Sequence, residues 1–215
     1  MKIMKTLSTI AHLPAILAFT VIAFFASAQT ANAQIANTAN EVHPIFIGDT
    51  VPNIELKNLD GSSISSEAVT SQKPTVLIVY RGGWCPYCTR HLSAVGEIMN
   101  EIDSMGYNVV AVSPDSPERL NESSEELSLD YQLYSDYSGQ FIQKMGLAFY
   151  GPKRYSDMLN KAAGGNNPDA VLPVPSLFVV DANGVVLFEY VVPNYRQRMS
   201  SELLLNVLSA LQTEG

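Results

Sequence analysis

Cysteine is scarce in this chain: 215 residues contain two, Cys85 and Cys88, and no others. That scarcity leaves a lipoprotein anchor without an attachment site, because no cysteine stands at the end of the N-terminal apolar segment to carry the lipid. It also starves a metal site. Cys85, Cys88 and His91 have C-x-x-C-x-x-H spacing, but such a site needs a fourth ligand and no further cysteine supplies it. Covalent haem attachment is excluded because Thr89 stands where that motif requires histidine. Positive charge is short as well, with 13 Lys and Arg against 21 Asp and Glu and a formal net charge of -8. A nucleic-acid-binding role is disfavoured by that sign, and the loose cluster Glu118, Glu122, Glu125 and Glu126 reads as a solvated acidic surface or a steering surface for a basic partner. Long apolar runs are missing too. The stretch from Leu13 to Phe25 falls short of the roughly 20 residues that span a bilayer.

That stretch instead fits a cleaved export signal. Lys2 and Lys5 form a basic start, the apolar segment follows, and Ala26-Ser27-Ala28 and Ala31-Asn32-Ala33 are both A-x-A cleavage patterns, the second preferred. The expected organisation is a signal peptide over 1–33, a flexible mature N-terminus over 34–44 and one domain over 45–215. Membrane contact is then limited to the signal segment, if uncleaved, and the mature protein is periplasmic or secreted. In such compartments disulfides persist, so two cysteines in one motif are expected to be used in redox chemistry.

The chain is organised around Thr75 to Gly96. Thr75 to Tyr80 is a continuous run of β-branched and apolar residues, read as a central strand buried on both faces. Gly82 and Gly83 end it. Pro86 suits a first helical turn, since its missing N–H would have gone unpaired, and Leu92, Val95, Ile98, Met99 and Ile102 recur at helical spacing. Cys85 is thereby placed at a helix N-terminus, where unpaired N–H groups and the helix dipole favour an anion. Thiolates in such turns have pKa values lowered from about 8.5 to roughly 3.5–7.5. On this reading Cys85 is the attacking thiolate and Cys88, deeper and more shielded, closes a Cys85–Cys88 disulfide.

Around this unit the sequence predicts an edge hairpin through Ile54, Leu56 and the Asp60-Gly61 turn. A second buried strand over 107–113 leads into a helix from Glu118, giving a right-handed strand–helix–strand crossover. A third strand over 131–135 is expected at the sheet edge and a short helix over 139–145. Residues 150–172, rich in glycine and proline, read as a surface insertion, either a mobile connection or a substrate-facing lid using Arg154, Tyr155 and Met158. A hairpin then turns at Asp181 to Gly184. An amphipathic helix from Met199 to Leu211 closes the domain with Leu203, Leu204, Val207, Leu208 and Leu211 on one stripe.

The Trp84-Cys85-Pro86-Tyr87-Cys88 turn after a buried strand, with Val174-Pro175-Ser176 opening a later hairpin, resembles the thioredoxin superfamily. More narrowly, the phrase from Tyr80 to Cys88 and the early hairpin resemble its peroxiredoxin-like branch, the thiol-specific antioxidant and alkyl hydroperoxide reductase group, over roughly residues 45–212. The resemblance implies an α/β thioredoxin-like fold: a central mixed sheet flanked by helices, with an N-terminal hairpin and an insertion before a cis-proline hairpin. It further implies that Pro175 is that cis-proline, with flanking backbone that pairs with substrate.

Departures from the family pattern are specific. Thioredoxins place a buried acid six residues before the first cysteine, where this chain has Val79; another base or water must serve. In true peroxiredoxins the peroxidatic cysteine aligns with Cys88, a Thr or Ser precedes it by three and a Pro by seven, and an Arg comes from the later hairpin. Here Cys85, Arg81 and Pro175 stand in those places. A glutaredoxin glutathione site finds no residue-by-residue match.

Three functions follow as alternatives. The leading expectation is an exported thiol-disulfide oxidoreductase cycling Cys85 and Cys88 with protein thiols or an upstream reductant. The second is a thiol peroxidase with Cys88 peroxidatic and Cys85 resolving. The third is a metal-binding module. Supporting residues in all are Arg81, Trp84, Pro86, Tyr87 and Pro175, with no cofactor expected. Trp84 reads equally as packing or as substrate contact, and His91 as a solvent-facing helix residue.

Overall fold

The computed structural model describes residues 34–214. The signal-peptide expectation for residues 1–33 lies outside them. Nine strands are described: β1 (Glu55–Lys57), β2 (Ser63–Ser65), β3 (Thr75–Val79), β4 (Asn108–Ser113), β5 (Gln132–Ser135), β6 (Ala148–Tyr150), β7 (Val171–Pro173), β8 (Ser176–Val180) and β9 (Val186–Val191). The α-helices are α1 (Ser66–Thr70), α2 (Pro86–Gly96), α3 (Met99–Ser104), α4 (Pro117–Leu127), α5 (Gln140–Lys144), α6 (Ser156–Ala162) and α7 (Ser201–Glu214).

Seven strands form one mixed sheet in the order β2-β1-β5-β4-β3-β8-β9. β3 pairs parallel with β4 and antiparallel with β8, so its backbone groups are satisfied on both sides. Side chains alternate across the strand. Val76, Ile78 and Tyr80 face the core that holds Cys85, Cys88 and the apolar sides of α2 and α7, whereas Leu77 and Val79 face a second core with Phe141 and Phe178. The cysteine-bearing turn thus rests on a layer packed from both faces.

Several expectations need correction. β5 is interior, because the β1–β2 hairpin adds beyond it through the Lys57–Ser135 pair. The helical run after Pro86 divides into α2 and α3, with Ile98 leaving helical geometry just after Gly96 (φ -112, ψ 17), since glycine weakens a helix interior. Leu203 is 45% exposed, and the α7 stripe against the sheet is built from Leu204 and Leu208, with the partly buried Leu205, Val207 and Leu211 beside them.

The insertion is built as a second small sheet. β6 and β7 pair antiparallel at its base, and α6 folds back over them through Leu159, which packs with Leu172, Trp84, Phe149 and Tyr155. The Asn167 side chain accepts from Val171 N–H at 2.7 Å and donates to its carbonyl at 2.8 Å, closing the loop between α6 and β7. Residues 34–44 run beside this sheet, with Ala36 N–H donating to Ala148 O (3.0 Å) and Ala36 O accepting from Tyr150 N–H (2.9 Å).

Among the described residues no peptide bond is cis, so the Val174–Pro175 bond is trans. The chain passes directly from β7 into β8, with Val174 N–H donating to Leu147 O at 2.9 Å and Pro175 O accepting from Val192 N–H at 3.3 Å. The backbone that the resemblance assigned to substrate pairing is therefore already paired inside the domain. No helix among the described residues is long and apolar enough to cross a membrane.

Candidate active site

Gly82 takes φ +139, and a Cβ there would come within 2.3–2.7 Å of Trp84 and the Asp115 carboxylate. Only glycine allows the chain to turn so tightly out of β3. Cys85 N–H then donates to Gly82 O (3.2 Å), Cys85 becomes the N-cap of α2, and Pro86 occupies the first turn as expected. Cys88 sits on the buried side of that turn with its own N–H donating to Cys85 O (2.9 Å). Both cysteines are free thiols, 2% and 1% exposed.

Their environments separate them. The Cys88 thiol donates its hydrogen to Cys85, and with the backbone N–H groups of Cys88 and Tyr87 and the Arg81 charge this outweighs burial and brings Cys85 down to about 6. Cys88 is pushed well above its ordinary value because its proton is held by Cys85, because it is buried and because an anion is its neighbour. Opposing those effects are Arg198 and the Arg81 backbone N–H. The Arg198 guanidinium donates to Cys88 Sγ at 3.2 Å and to the carbonyls of Tyr195 and Gln197, each at 2.6 Å.

Cys85 opens onto a cleft of about 470 Å3, and Cys88 does not line it. Arg81 lines the cleft beside Cys85, its guanidinium sandwiched between the rings of Trp84 (4.9 Å) and Tyr195 (4.7 Å). Tyr195 in turn meets Tyr87 edge to face at 5.8 Å. Pro86, Tyr87 and Pro175 also line the cleft, as do Arg154, Tyr155 and Met158. All the supporting residues expected from sequence thus converge, and the insertion forms the opposite wall. Trp84 serves both roles proposed for it, packing against the insertion and facing the cleft.

One residue differs from expectation. His91 is buried, 8% exposed, because it lies three residues after Cys88 on the inner face of α2, with Leu92 and Val95. Burial and then the Arg198 charge push it down to about 4. It is an uncharged core residue, and among the described residues no three His, Cys, Asp or Glu side chains are arranged to hold a metal, so the Cys85, Cys88, His91 site is not assembled. Val79 points into the opposite core. The buried acid near the turn is Asp115, beyond β4, accepting from Gly83 N–H at 2.7 Å. Burial raises it to about 6 against the pull of that hydrogen bond. Its contact is with the turn's backbone, so it positions the turn.

Asp115 and Arg198 were not identified from sequence. Arg198 carried a faint signal, as part of a short basic stretch, Arg196 to Arg198, after the last strand of an acidic chain. Asp115 carried none beyond its place in a turn.

A model of the AhpC/TSA family matches residues 47–188. Among relatives, the chain is 25% identical over 167 residues to a protein of Escherichia coli K12 named Peroxiredoxin Bcp, covering 78% of this chain and 97% of that one. Among solved structures, peroxidoxin BcpB from Mycobacterium tuberculosis superposes with a TM-score of 0.61 at 22% identity, over 77% of this chain and 97% of that one. A thiol peroxidase from Chromobacterium violaceum superposes with a TM-score of 0.62 at 17% identity, over 85% and 92% of the two chains.

Proposed function

The chain belongs to the AhpC/TSA family, whose members are thiol peroxidases, and on that premise we propose that it reduces peroxides with the Cys85 thiolate and closes a Cys85–Cys88 disulfide. The observation that carries this reading is the pairing of an open and a hidden sulfur: Cys85 faces the cleft with its pKa lowered to about 6, while Cys88 lies behind it holding a proton. Near neutral pH the attacking thiolate is already formed. It attacks the outer oxygen of the peroxide, the O–O bond breaks, and the departing alkoxide or hydroxide takes a proton. Cys85 is left as a sulfenic acid.

That step removes the negative charge which kept Cys88 protonated. Arg198, 3.2 Å away, and the Arg81 backbone N–H then favour the Cys88 thiolate, which attacks the Cys85 sulfur and releases water. Resolution is therefore timed by the loss of charge on Cys85. Arg81, held by its two rings beside Cys85, is placed to donate to the peroxide oxygens.

A second reading has one observation in its favour. Cys88 occupies the peroxidatic register of the family and has the guanidinium contact, which supports Cys88 attack with Cys85 resolving. The cleft favours Cys85. Exchange with protein thiols, the leading expectation from sequence, is weakened by the paired Val174 backbone. Export through residues 1–33 stays part of the proposal, supported by the two A-x-A patterns, and N-terminal sequencing of protein from fractionated cells tests it.

Stopped-flow fluorescence tests the activity, since Trp84 is the single tryptophan and lies in the site. Reduced protein mixed with hydrogen peroxide is expected to change signal far faster than free cysteine reacts. A rate equal to that of free cysteine would remove the peroxidase reading.

A further inference from the structure

A peroxidase cycle ends with a disulfide that something must reduce, and the structure limits what can reach it. Both cysteine residues are at least 98% covered, and of the two Cys85 borders the cleft. A reductant therefore attacks Cys85 Sγ through the cleft. Its volume of about 470 Å3 lies within the roughly 300–1,000 Å3 of small-molecule sites and far exceeds the about 30 Å3 share of one water, the scale of hydrogen peroxide. Val174 N–H is committed to Leu147, so the backbone beside Pro175 offers a protein partner no free edge there for strand pairing.

The cleft also has a sign. Among the described residues two arginines line it and no acid does, in a chain of formal charge -8. Arg81 is 7% exposed, its Nε has no hydrogen-bond partner, and its flat faces are covered by Trp84 and Tyr195. Among the described residues it makes no ion pair with a carboxylate. A buried guanidinium with an unused donor costs free energy until a partner arrives, and its planar edge matches a carboxylate. Arg154, exposed at the other wall, donates to the Tyr155 hydroxyl at 3.2 Å. Phe149, Met158 and Pro175 supply apolar lining to the same cleft.

We infer that the cleft over Cys85 receives a low-molecular-weight thiol bearing a carboxylate, which is the reductant that regenerates the enzyme. This rests on the Cys85–Cys88 cycle proposed above. One thiolate attacks Cys85 Sγ; the Cys85–Cys88 bond breaks, its electron pair leaves on Cys88, and Cys88 takes a proton. A second thiolate attacks the small molecule's sulfur in the mixed disulfide, releasing the oxidised thiol dimer and the Cys85 thiolate. Two thiols give up two electrons and two protons, and the protein disulfide receives the electrons.

The test uses 3-mercaptopropionate and cysteamine, thiols of matching length that end in a carboxylate and an ammonium. The full-length mature protein is oxidised with diamide, so that the disulfide forms without peroxide, and its reduction is followed by Trp84 fluorescence. Rates are compared per thiolate and beside a reduced dithiol protein. The carboxylate thiol is expected to react at least about tenfold faster than cysteamine, the worth of one charge-assisted hydrogen bond, and to lose most of that preference in Arg154→Gln and in high salt. Equal rates for the two small thiols, or a dithiol protein faster than both, would overturn the inference. Because no peroxide is used, a failed peroxidase reading leaves this result intact. If diamide forms no Cys85–Cys88 disulfide by mass, the cycle and the inference fall together.

Discussion

Arg198 donates to Cys88 Sγ at 3.2 Å across 110 residues of chain, from a segment between the last strand and the last helix. The contact gives the hidden cysteine a counter-ion that comes into play once Cys85 has lost its charge. Arg198→Met is therefore expected to slow disulfide closure by about 10–100-fold, the range of one hydrogen bond to a charged group, while peroxide attack on Cys85 changes little. Trapping with dimedone during turnover checks this: the sulfenic acid should accumulate on Cys85 in the variant and pass unseen in the parent.

Cys85 at about 6 sets a pH profile. Alkylation of the reduced protein by iodoacetamide should rise through about pH 6 and level off a unit or so above it. In Cys88→Ala the donated thiol hydrogen, the largest lowering influence, is gone. The midpoint should move upward, read by thiolate absorbance during a pH titration.

The turn is held by close approach. A Cβ on Gly83 would lie 2.1 Å from Ser123 Oγ on α4, so Gly83→Ala should destabilise the fold by about 1–3 kcal/mol through overpacking. Adding Ser123→Gly should recover part of that loss. Thermal unfolding of the single and double variants measures it, and additive losses would refute the contact as the cause.

Asp115 links the turn to pH. Its folded pKa of about 6 stands above the ordinary 3.8, so its contribution to stability is fully present below about pH 3.8 and is lost as pH rises through about 6. Between about pH 4 and pH 7 the parent should lose on the order of 2 kcal/mol that Asp115→Asn retains, since the amide oxygen still accepts from Gly83 without ionising. Asp136, pushed up to about 7 by burial, acts in the same direction in both proteins and cancels in the comparison. Denaturant unfolding across that range reads the difference.

What the sequence made legible was local. β3, the glycine turn, Pro86 and the two cysteines lie within one short stretch, where strand pattern, backbone freedom and helix capping decide the geometry without help from elsewhere. The crossover from β3 to β4 was legible for the same reason. Residues delivered by topology were not. Asp115 reaches Gly83 because β4 lies beside β3, and Arg198 reaches Cys88 because β9 returns the chain to the site. His91 was legible in principle, as its spacing from Cys88, Leu92 and Val95 places it on the inner face of α2. The insertion's role as a wall depended on β6 pairing with β7, a contact between segments too short to announce themselves as strands.

The central claim is that Cys85 attacks the peroxide, and locating the first sulfenic acid tests it most directly. Cys88→Ser and Cys85→Ser are each mixed with one equivalent of hydrogen peroxide at a pH high enough to ionise Cys85 in the absence of its partner, trapped with dimedone and mapped by mass spectrometry. The account expects rapid labelling of Cys85 in Cys88→Ser and loss of the fast reaction in Cys85→Ser. Rapid labelling of Cys88 in Cys85→Ser, with a sluggish Cys85 in the other variant, would contradict it and hand the attack to the sulfur beside Arg198.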